Sequence, residues 1–95
     1  MAVRVVIERE IDQGQEMKLR EALVQLRSHA IKAKGYISGE TLRAVDNPQK
    51  YLVLSNWNTV EDWKVWQKNP ERAKIQAELN KLLIKPETCT VYGHL

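Results

Sequence analysis

The chain has 95 residues, with 15 Lys plus Arg against 12 Asp plus Glu and a formal net charge of +3. A chain of this length forms one domain, residues 1–95, and buries little surface on its own, so a second subunit is expected. The basic residues alternate with acidic ones, unlike the clustered positive charge that binds nucleic acid. Without a long apolar span or an N-terminal apolar h-region, the sequence predicts a cytoplasmic protein that does not enter a membrane.

The N-terminal third predicts a strand followed by a helix. Residues 3–11 alternate in polarity, which places Val3, Val5 and Ile7 on one face of a strand. Asp12 is the predicted cap of a helix that Gly35 stops. Apolar residues recur along this helix at helical spacing; they are Leu19, Leu23, Leu26 and Ala30, with Met17, Val24 and Ile31 widening the stripe.

The middle of the chain predicts an antiparallel hairpin and then a helical region in two segments. Residues 36–45 and 50–57 read as strands joined by a short turn that contains Asp, Asn and Pro. Thr59 is a suitable cap for the first helical segment. Asn69 can cap the second, because Pro70 suits the first position of a helix.

Residues 88–92 complete the order as a fourth strand, after Pro86 ends the last helix. The order β-α-β-β-α-β predicts an α+β, ferredoxin-like fold with a four-stranded antiparallel sheet and both helices on one face. The third strand is apolar on both faces, with Tyr51, Val53 and Trp57 on one side and Leu52 and Leu54 on the other. We therefore expect a homodimer in which the uncovered sheet face packs on that of a second copy.

Several short motifs carry a resemblance to a known family. They are Gly35-Tyr36-Ile37-Ser38-Gly39-Glu40, the stretch from Tyr51 to Trp57, Trp63, Trp66, Asn69-Pro70 and Leu82-Leu83. The chain resembles the antibiotic biosynthesis monooxygenase family of dimeric α+β barrels. The resemblance implies a ferredoxin-like protomer with a pocket between helices and sheet. Members include cofactor-independent monooxygenases that oxidise phenols to quinones, quinol oxygenases and haem-degrading enzymes.

The haem-degrading branch of that family can be tested on residues. Its iron-ligating histidine corresponds to Gln76, and its first-strand asparagine falls where this chain has residues 5–8, none of which is asparagine. Glutamine is a poor axial ligand for haem iron. Only Trp66 remains of the three characteristic residues, so we expect no haem and no other bound cofactor. With two histidines and no carboxylate cluster between them, no metal site is expected either.

For a cofactor-free oxygenase, the resemblance and the residue types together suggest a site around the three tryptophans. We predict Trp66, Asn56 and His94 as catalytic residues. Trp63, Tyr51 and His29 are the predicted substrate-binding residues. The indoles would stack on a planar small aromatic ligand, Tyr51, Asn56 and Trp66 would donate hydrogen bonds to its oxyanion, and His94 or His29 would take the phenolic proton.

Simpler interpretations of the same residues remain open. Trp63 and Trp66 are compatible with ordinary core packing, and Trp57 with a brace for the following helix. His94 lies near a chain end that commonly frays. Cys89 is expected as a small buried hydrophobe and not as a nucleophile. The leading hypothesis is a monooxygenase that acts on a phenol or quinol; the alternatives are a non-catalytic dimer that binds a small apolar ligand, and a dimer whose pocket is closed core.

Overall fold

A computed structural model describes residues 1–95 as seven elements around one sheet. The elements are β1 (Val3–Glu10), α1 (Glu16–Ala30), β2 (Tyr36–Arg43), β3 (Lys50–Trp57), α2 (Val60–Gln67), α3 (Pro70–Asn80) and β4 (Thr88–Gly93). All neighbouring strands are antiparallel and the spatial order is β2-β3-β1-β4. The predicted ferredoxin-like fold is confirmed. None of the three helices is long and apolar enough to span a bilayer.

The alternation in β1 decides which side of the sheet the helices cover. Val3, Val5 and Ile7 are buried, as predicted, and Arg9 continues the same line. In the register with β3 these residues lie opposite Trp57, Ser55, Val53 and Tyr51 respectively. Side chains on this face form the main hydrophobic core with residues of α1 and α2. The period of two along β1 therefore separates a helix-covered face from an open face.

The ends of α1 differ from the prediction. The helix begins at Glu16, and Gln15, not Asp12, occupies the cap position without a side-chain hydrogen bond. Asp12 is held elsewhere, since its backbone N–H donates to the carbonyl of Leu82 at 2.9 Å. At the other end the helix stops at Ala30, and a tight turn leads to Gly35, whose φ is +84°.

The apolar stripe on α1 is also narrower than predicted. Leu19 and Ala30 are buried, whereas Met17, Val24 and Ile31 are 75%, 64% and 57% exposed. The exposed residues recur every seven positions, so they lie along one line of the helix. That line points away from the sheet, and the prediction that these three residues widen the buried stripe is wrong.

The caps of α2 and α3 are as predicted. Thr59 Oγ1 accepts a hydrogen bond from the backbone N–H of Asp62 at 3.1 Å. Asn69 Oδ1 accepts from the backbone N–H groups of Glu71 and Arg72 at 2.8 and 3.2 Å. The cap at Asn69 begins a new helix two residues after α2 ends, so the helical region consists of two segments.

The open face of the sheet combines half-buried aliphatic side chains with a short polar network. Leu52 and Leu54 of β3 lie on this face beside Val6 of β1, which confirms that β3 is apolar on both faces. Asn56 on the same face accepts from Arg4 Nε at 3.1 Å and donates to a serine hydroxyl of β2 at 3.0 Å. No helix of this chain packs on the open face.

Candidate functional site

Four aromatic side chains meet where β2, β3 and α2 come together. The ring of Trp57 lies 5.3 Å from that of Tyr36 in an edge-on arrangement. Its centroid lies 5.8 Å from Trp63 at a steep angle and 6.3 Å from Trp66 in a stacked arrangement. The three indoles are only 1%, 3% and 5% exposed. Trp57 is thus the centre of the cluster, and the other three rings surround it.

Local sequence explains why these rings converge. Trp57 is the last residue of β3, and the cap at Thr59 starts α2 only two residues later. Trp63 and Trp66 are three apart on that helix and therefore share the face that returns over the sheet. The carbonyl of Gly35 accepts a hydrogen bond from the backbone N–H of Asn58 at 2.8 Å, which keeps the start of β2 beside the end of β3.

A cavity of about 90 Å³ lies between the helices and the sheet, against this cluster. Ten of its 17 lining residues are hydrophobic. An engineered apolar cavity of roughly 150 Å³ is known to hold benzene. The enclosed volume here is smaller, so a ligand with one ring already requires side chains to move or part of the ligand to extend outward.

The two ends of the cavity differ in exposure. Arg27 of α1 and Glu40 and Thr41 of β2 also line it, and all three are exposed, so they mark its mouth. Arg9 and Arg72 line it as well, and these residues are only 3% and 8% exposed. The mouth is therefore a solvent-exposed rim, whereas buried guanidinium groups form part of the interior wall.

A buried polar network surrounds those two arginines. Arg9 Nε donates to Glu87 Oε1 at 2.8 Å, and Gln76 Nε2 donates to the same oxygen at 2.7 Å. Arg72 Nη1 donates to the carbonyl of Gln67 at 3.4 Å. Arg9 Nη1 and Gln76 Oε1 are buried without a hydrogen-bond partner in the protein. The carboxylate of Glu87 thus accepts from one guanidinium group and one side-chain amide, and Arg9 Nη1 remains without an acceptor.

Burial affects the ionisation equilibrium of Arg72 in this network. It lowers the pKa of Arg72, an effect that Glu87 opposes and that the positive charge of Arg9 reinforces. Arginine remains protonated in proteins even so. The inner wall of the cavity therefore carries more positive than negative charge.

The family model described as antibiotic biosynthesis monooxygenase matches residues 2–78. The chain belongs to the antibiotic biosynthesis monooxygenase family. Protein SchA of Streptomyces halstedii is 23% identical over 73 residues, which is 77% of this chain and 19% of that protein. The chain thus spans about a fifth of the length of that curated relative. The match to a whiE-locus protein of Streptomyces coelicolor spans 17% of that protein's length.

Solved structures of the same fold come from several organisms. A conserved protein of Methanosarcina mazei is 18% identical with a TM-score of 0.95, covering 100% of this chain and 94% of that one. SnoaB of Streptomyces nogalater, a cofactor-independent oxygenase, is 13% identical with a TM-score of 0.90, covering 99% and 93%. At these identities the likeness shows that the monooxygenase-family fold is shared.

Within this family member, the structure brings together some of the predicted site residues. Trp63 and Trp66 line the cavity as expected. Tyr51 lies on the same sheet face, but six residues along β3 from Trp57, which is about 20 Å in a strand. It lines a neighbouring cavity and packs on a separate small core. Tyr51 is therefore not in contact with the tryptophan cavity.

The other three predicted residues do not reach the cavity. Asn56 alternates with Trp57 along β3, so its side chain lies on the open face of the sheet. His29 is half-buried on α1, where Leu26 and Ala30 line the cavity instead. His94 is exposed beyond the end of β4. Strand and helix periodicity direct these side chains elsewhere, so the structure does not bring them together with Trp66, and the roles predicted for them stay predictions.

Cys89 also differs from the expectation of a buried hydrophobe. It is exposed, on the edge strand β4. Partial desolvation of the thiol raises its pKa, Glu87 raises it further, and Arg72 and Arg9 oppose the shift. A thiol whose pKa is raised is a weak nucleophile at neutral pH.

Arg9 and Arg72 were not anticipated from the sequence. A signal for Arg9 existed, because extending the alternation of Val3, Val5 and Ile7 by one step puts it on the buried face. A signal for Arg72 also existed, since it lies three residues before Ile75 on the buried stripe of α3. Both positions break an apolar pattern with a charged residue, and such a break is a sign of a buried polar site.

Proposed function

We propose that this protein is a cofactor-independent monooxygenase that acts on an aromatic phenol or quinol with molecular oxygen. The supporting observation is one cavity that is lined both by indole rings and by buried guanidinium groups. Indole faces stack on planar aromatic rings, and guanidinium groups stabilise oxygen anions. Membership of the family and the fold shared with a cofactor-independent oxygenase support the same conclusion.

The chemistry needs no electron carrier other than the substrate. A phenol loses its proton, and the resulting anion transfers electrons to oxygen. One oxygen atom is added to the ring and the other leaves as water, so that a phenol and one dioxygen give a quinone and one water. The protein would contribute binding, exclusion of solvent and stabilisation of the anion.

Trp63 and Trp66 have the clearest proposed roles. Both line the cavity from α2, where their rings would contact the plane of a bound substrate. The indole N–H of Trp57 already donates to Ser55 Oγ at 3.0 Å, so Trp57 is committed to the structure. We assign Trp57 to the core and Trp66 to the site.

We also propose that two copies associate through the open sheet face. Its aliphatic residues Val6, Leu52 and Leu54 are only half covered within one chain. Two sheets packed face to face bury such side chains at a spacing of about 10 Å. The helices cover the other face, so the cavity of each copy would remain separate.

A non-catalytic ligand-binding function is favoured by one observation. The three tryptophans are so deeply buried that they also serve as core, and the enclosed volume of about 90 Å³ suits a small molecule. In that case a ligand would bind in the cavity without any consumption of oxygen.

Oxygen consumption distinguishes these functions. The purified protein, treated with a chelator, is presented with a panel of anthrones, dihydroxyaromatics and quinols in an oxygen electrode. We expect uptake above autoxidation that falls in Trp66→Phe and persists in Val65→Ala, a change at an exposed position of the same helix. Equal uptake by the wild type and Trp66→Phe contradicts the assigned site. No uptake across the panel, with binding retained, favours the ligand-binding function.

A further inference from the structure

Arg9, one of the residues that line the cavity, carries a buried hydrogen-bond donor without an acceptor in the protein. Arg9 lies in the cavity wall with a side chain that is only 2% exposed. Its Nε is paired with Glu87, but its Nη1 is buried and has no partner in the protein. A buried guanidinium N–H without an acceptor is costly, and such groups are commonly satisfied by a ligand or a water molecule.

A second guanidinium adds to the positive charge at this position. Arg72 lines the same cavity, is 8% exposed, and lies with its guanidinium carbon 5.4 Å from the centre of the Trp63 ring. Its charge and that of Arg9 repel each other, while Glu87 attracts both. Two cations against one carboxylate leave a net positive charge, which one further anion would balance.

We propose that Arg9 and Arg72 form an anion-binding end of the cavity that selects the phenolate form of an aromatic ligand. The ligand oxygen would accept from the guanidinium of Arg72, or from that of Arg9 after a side-chain shift that uncovers Nη1, and its ring would lie beside the indole of Trp63. Arginine donors to an oxygen anion form short, strong hydrogen bonds in a site shielded from water. This inference rests on the proposed function, since it names the form of substrate that the same cavity binds.

The proposal explains how a phenol could ionise without a nearby base. Neither histidine lines the cavity. Its one lining carboxylate, Glu40, is exposed, as is Arg27, and Tyr36 is the remaining titratable residue of the lining besides the two buried arginines. A positive environment lowers the pKa of a bound phenol directly, because it favours the charged form. The groups that set this environment are Arg9 from β1, Arg72 from α3 and, behind them, Glu87 and the Cys89 thiol.

A coloured phenol provides a test that does not depend on turnover. The absorbance of 4-nitrophenol reports its ionisation, so titrating the bound dye gives its pKa in the cavity. We expect the bound dye to ionise about one pH unit lower than in solution, which corresponds to about tenfold tighter binding of the anion than of the neutral phenol. The dye's methyl ether, 4-nitroanisole, cannot ionise and should bind more weakly at neutral pH.

Two substitutions should change this shift in opposite directions. Arg72→Gln removes one positive charge and should reduce the shift. Glu87→Gln removes the neutralising carboxylate but keeps an oxygen acceptor for Arg9 and Gln76, so the shift should increase. Arg43→Gln, at an exposed position of β2 that does not line the cavity, should leave it unchanged. Opposite effects of this kind do not arise from general damage to the fold.

The dye titration tests this inference, whereas oxygen uptake tests the proposed function, so the two can fail separately. If 4-nitrophenolate does not bind, if the bound dye keeps its solution pKa, or if Arg72→Gln leaves the shift intact, the inference is overturned whatever the oxygen electrode shows. If the dye's pKa falls as described but no phenol or quinol is oxidised, the anion site stands and the monooxygenase proposal fails.

Discussion

The guanidinium carbon of Arg72 lies 5.4 Å from the centre of the Trp63 ring. This contact joins the first turn of α3 to the aromatic cluster of α2, and the backbone N–H of Arg72 donates to the cap residue Asn69. A cation over an indole face is stabilising, more so when solvent is excluded. The same contact places a positive charge beside a cavity that aromatic residues line.

Trp57→Ala should destabilise the protein more than Trp66→Ala, although both side chains line the cavity. The side chain of Trp57 is 1% exposed and contacts three other rings, so its loss should cost about 3–5 kcal/mol of unfolding free energy. Trp66→Ala should cost less, because its ring contacts one other aromatic ring, that of Trp57. Urea unfolding at one fixed protein concentration measures both, with Val65→Ala as an exposed control. An equal cost for the two tryptophans would show that Trp66 is ordinary core.

Gly35→Ala and Gly14→Ala should separate steric overlap from backbone strain. Both glycines have positive φ, +84° and +87°. At Gly14 an added methyl meets open space, so only the strain of roughly 1–2 kcal/mol applies. At Gly35 it would overlap the carboxyl group of Asp62, and we expect a larger loss. Thermal unfolding of both variants tests this, and adding Asp62→Ala to Gly35→Ala should restore part of the loss.

Breaking the buried ion pair of Arg9 and Glu87 should cost more unfolding free energy than breaking the surface pair of Glu78 and Lys81. Glu87→Ala leaves Arg9 buried without its carboxylate, and breaking such a pair costs about 3–5 kcal/mol. Glu78→Ala breaks an exposed contact with Lys81 of 3.3 Å, which should change stability by about 1 kcal/mol or less. Denaturant titration of the two variants gives the comparison. Similar losses would mean that Glu87 adds little to holding Arg9.

Cys89 should react slowly at neutral pH. Partial burial and Glu87 raise its pKa, so alkylation by iodoacetamide should reach half its maximal rate at a higher pH than for a free thiol. Because the native state favours the protonated thiol, the stability this contributes is present at low pH and is lost as pH rises through the raised pKa. Glu87→Gln should move the midpoint down. A native midpoint equal to that in urea is inconsistent with this account.

If two copies pack through their open sheet faces as proposed, one charge introduced into that face should separate them. Leu52→Lys places an ammonium group in the middle of the open face and should convert dimers to monomers, since an unpaired buried charge is costly. Val24→Lys, on the exposed line of α1, should leave the mass of the assembly in solution that of a dimer. Light scattering after size exclusion measures both. A monomeric wild type would exclude this interface.

Much of the fold was readable from local patterns. The alternation of Val3, Val5 and Ile7 gave the buried face of β1, and Thr59 and Asn69 gave the starts of both later helices. The pattern failed at α1, where Asp12 suits a cap chemically but its backbone pairs with Leu82. A turn through Gly14, whose φ is +87°, separates Asp12 from the helix, which begins at Glu16, and sequence spacing did not show this turn.

The sequence by itself determined the order of elements, the two faces of β3 and the clustering of three tryptophans within ten residues, because these depend on neighbours in the chain. Only the tertiary structure decided which polar groups lie near the three tryptophans. Arg9 and Glu87 are 78 residues apart and become partners through strand pairing and helix packing. The same packing placed Asn56, His29 and His94 away from the cavity, since a shift of one residue in a strand or helix turns a side chain to another face.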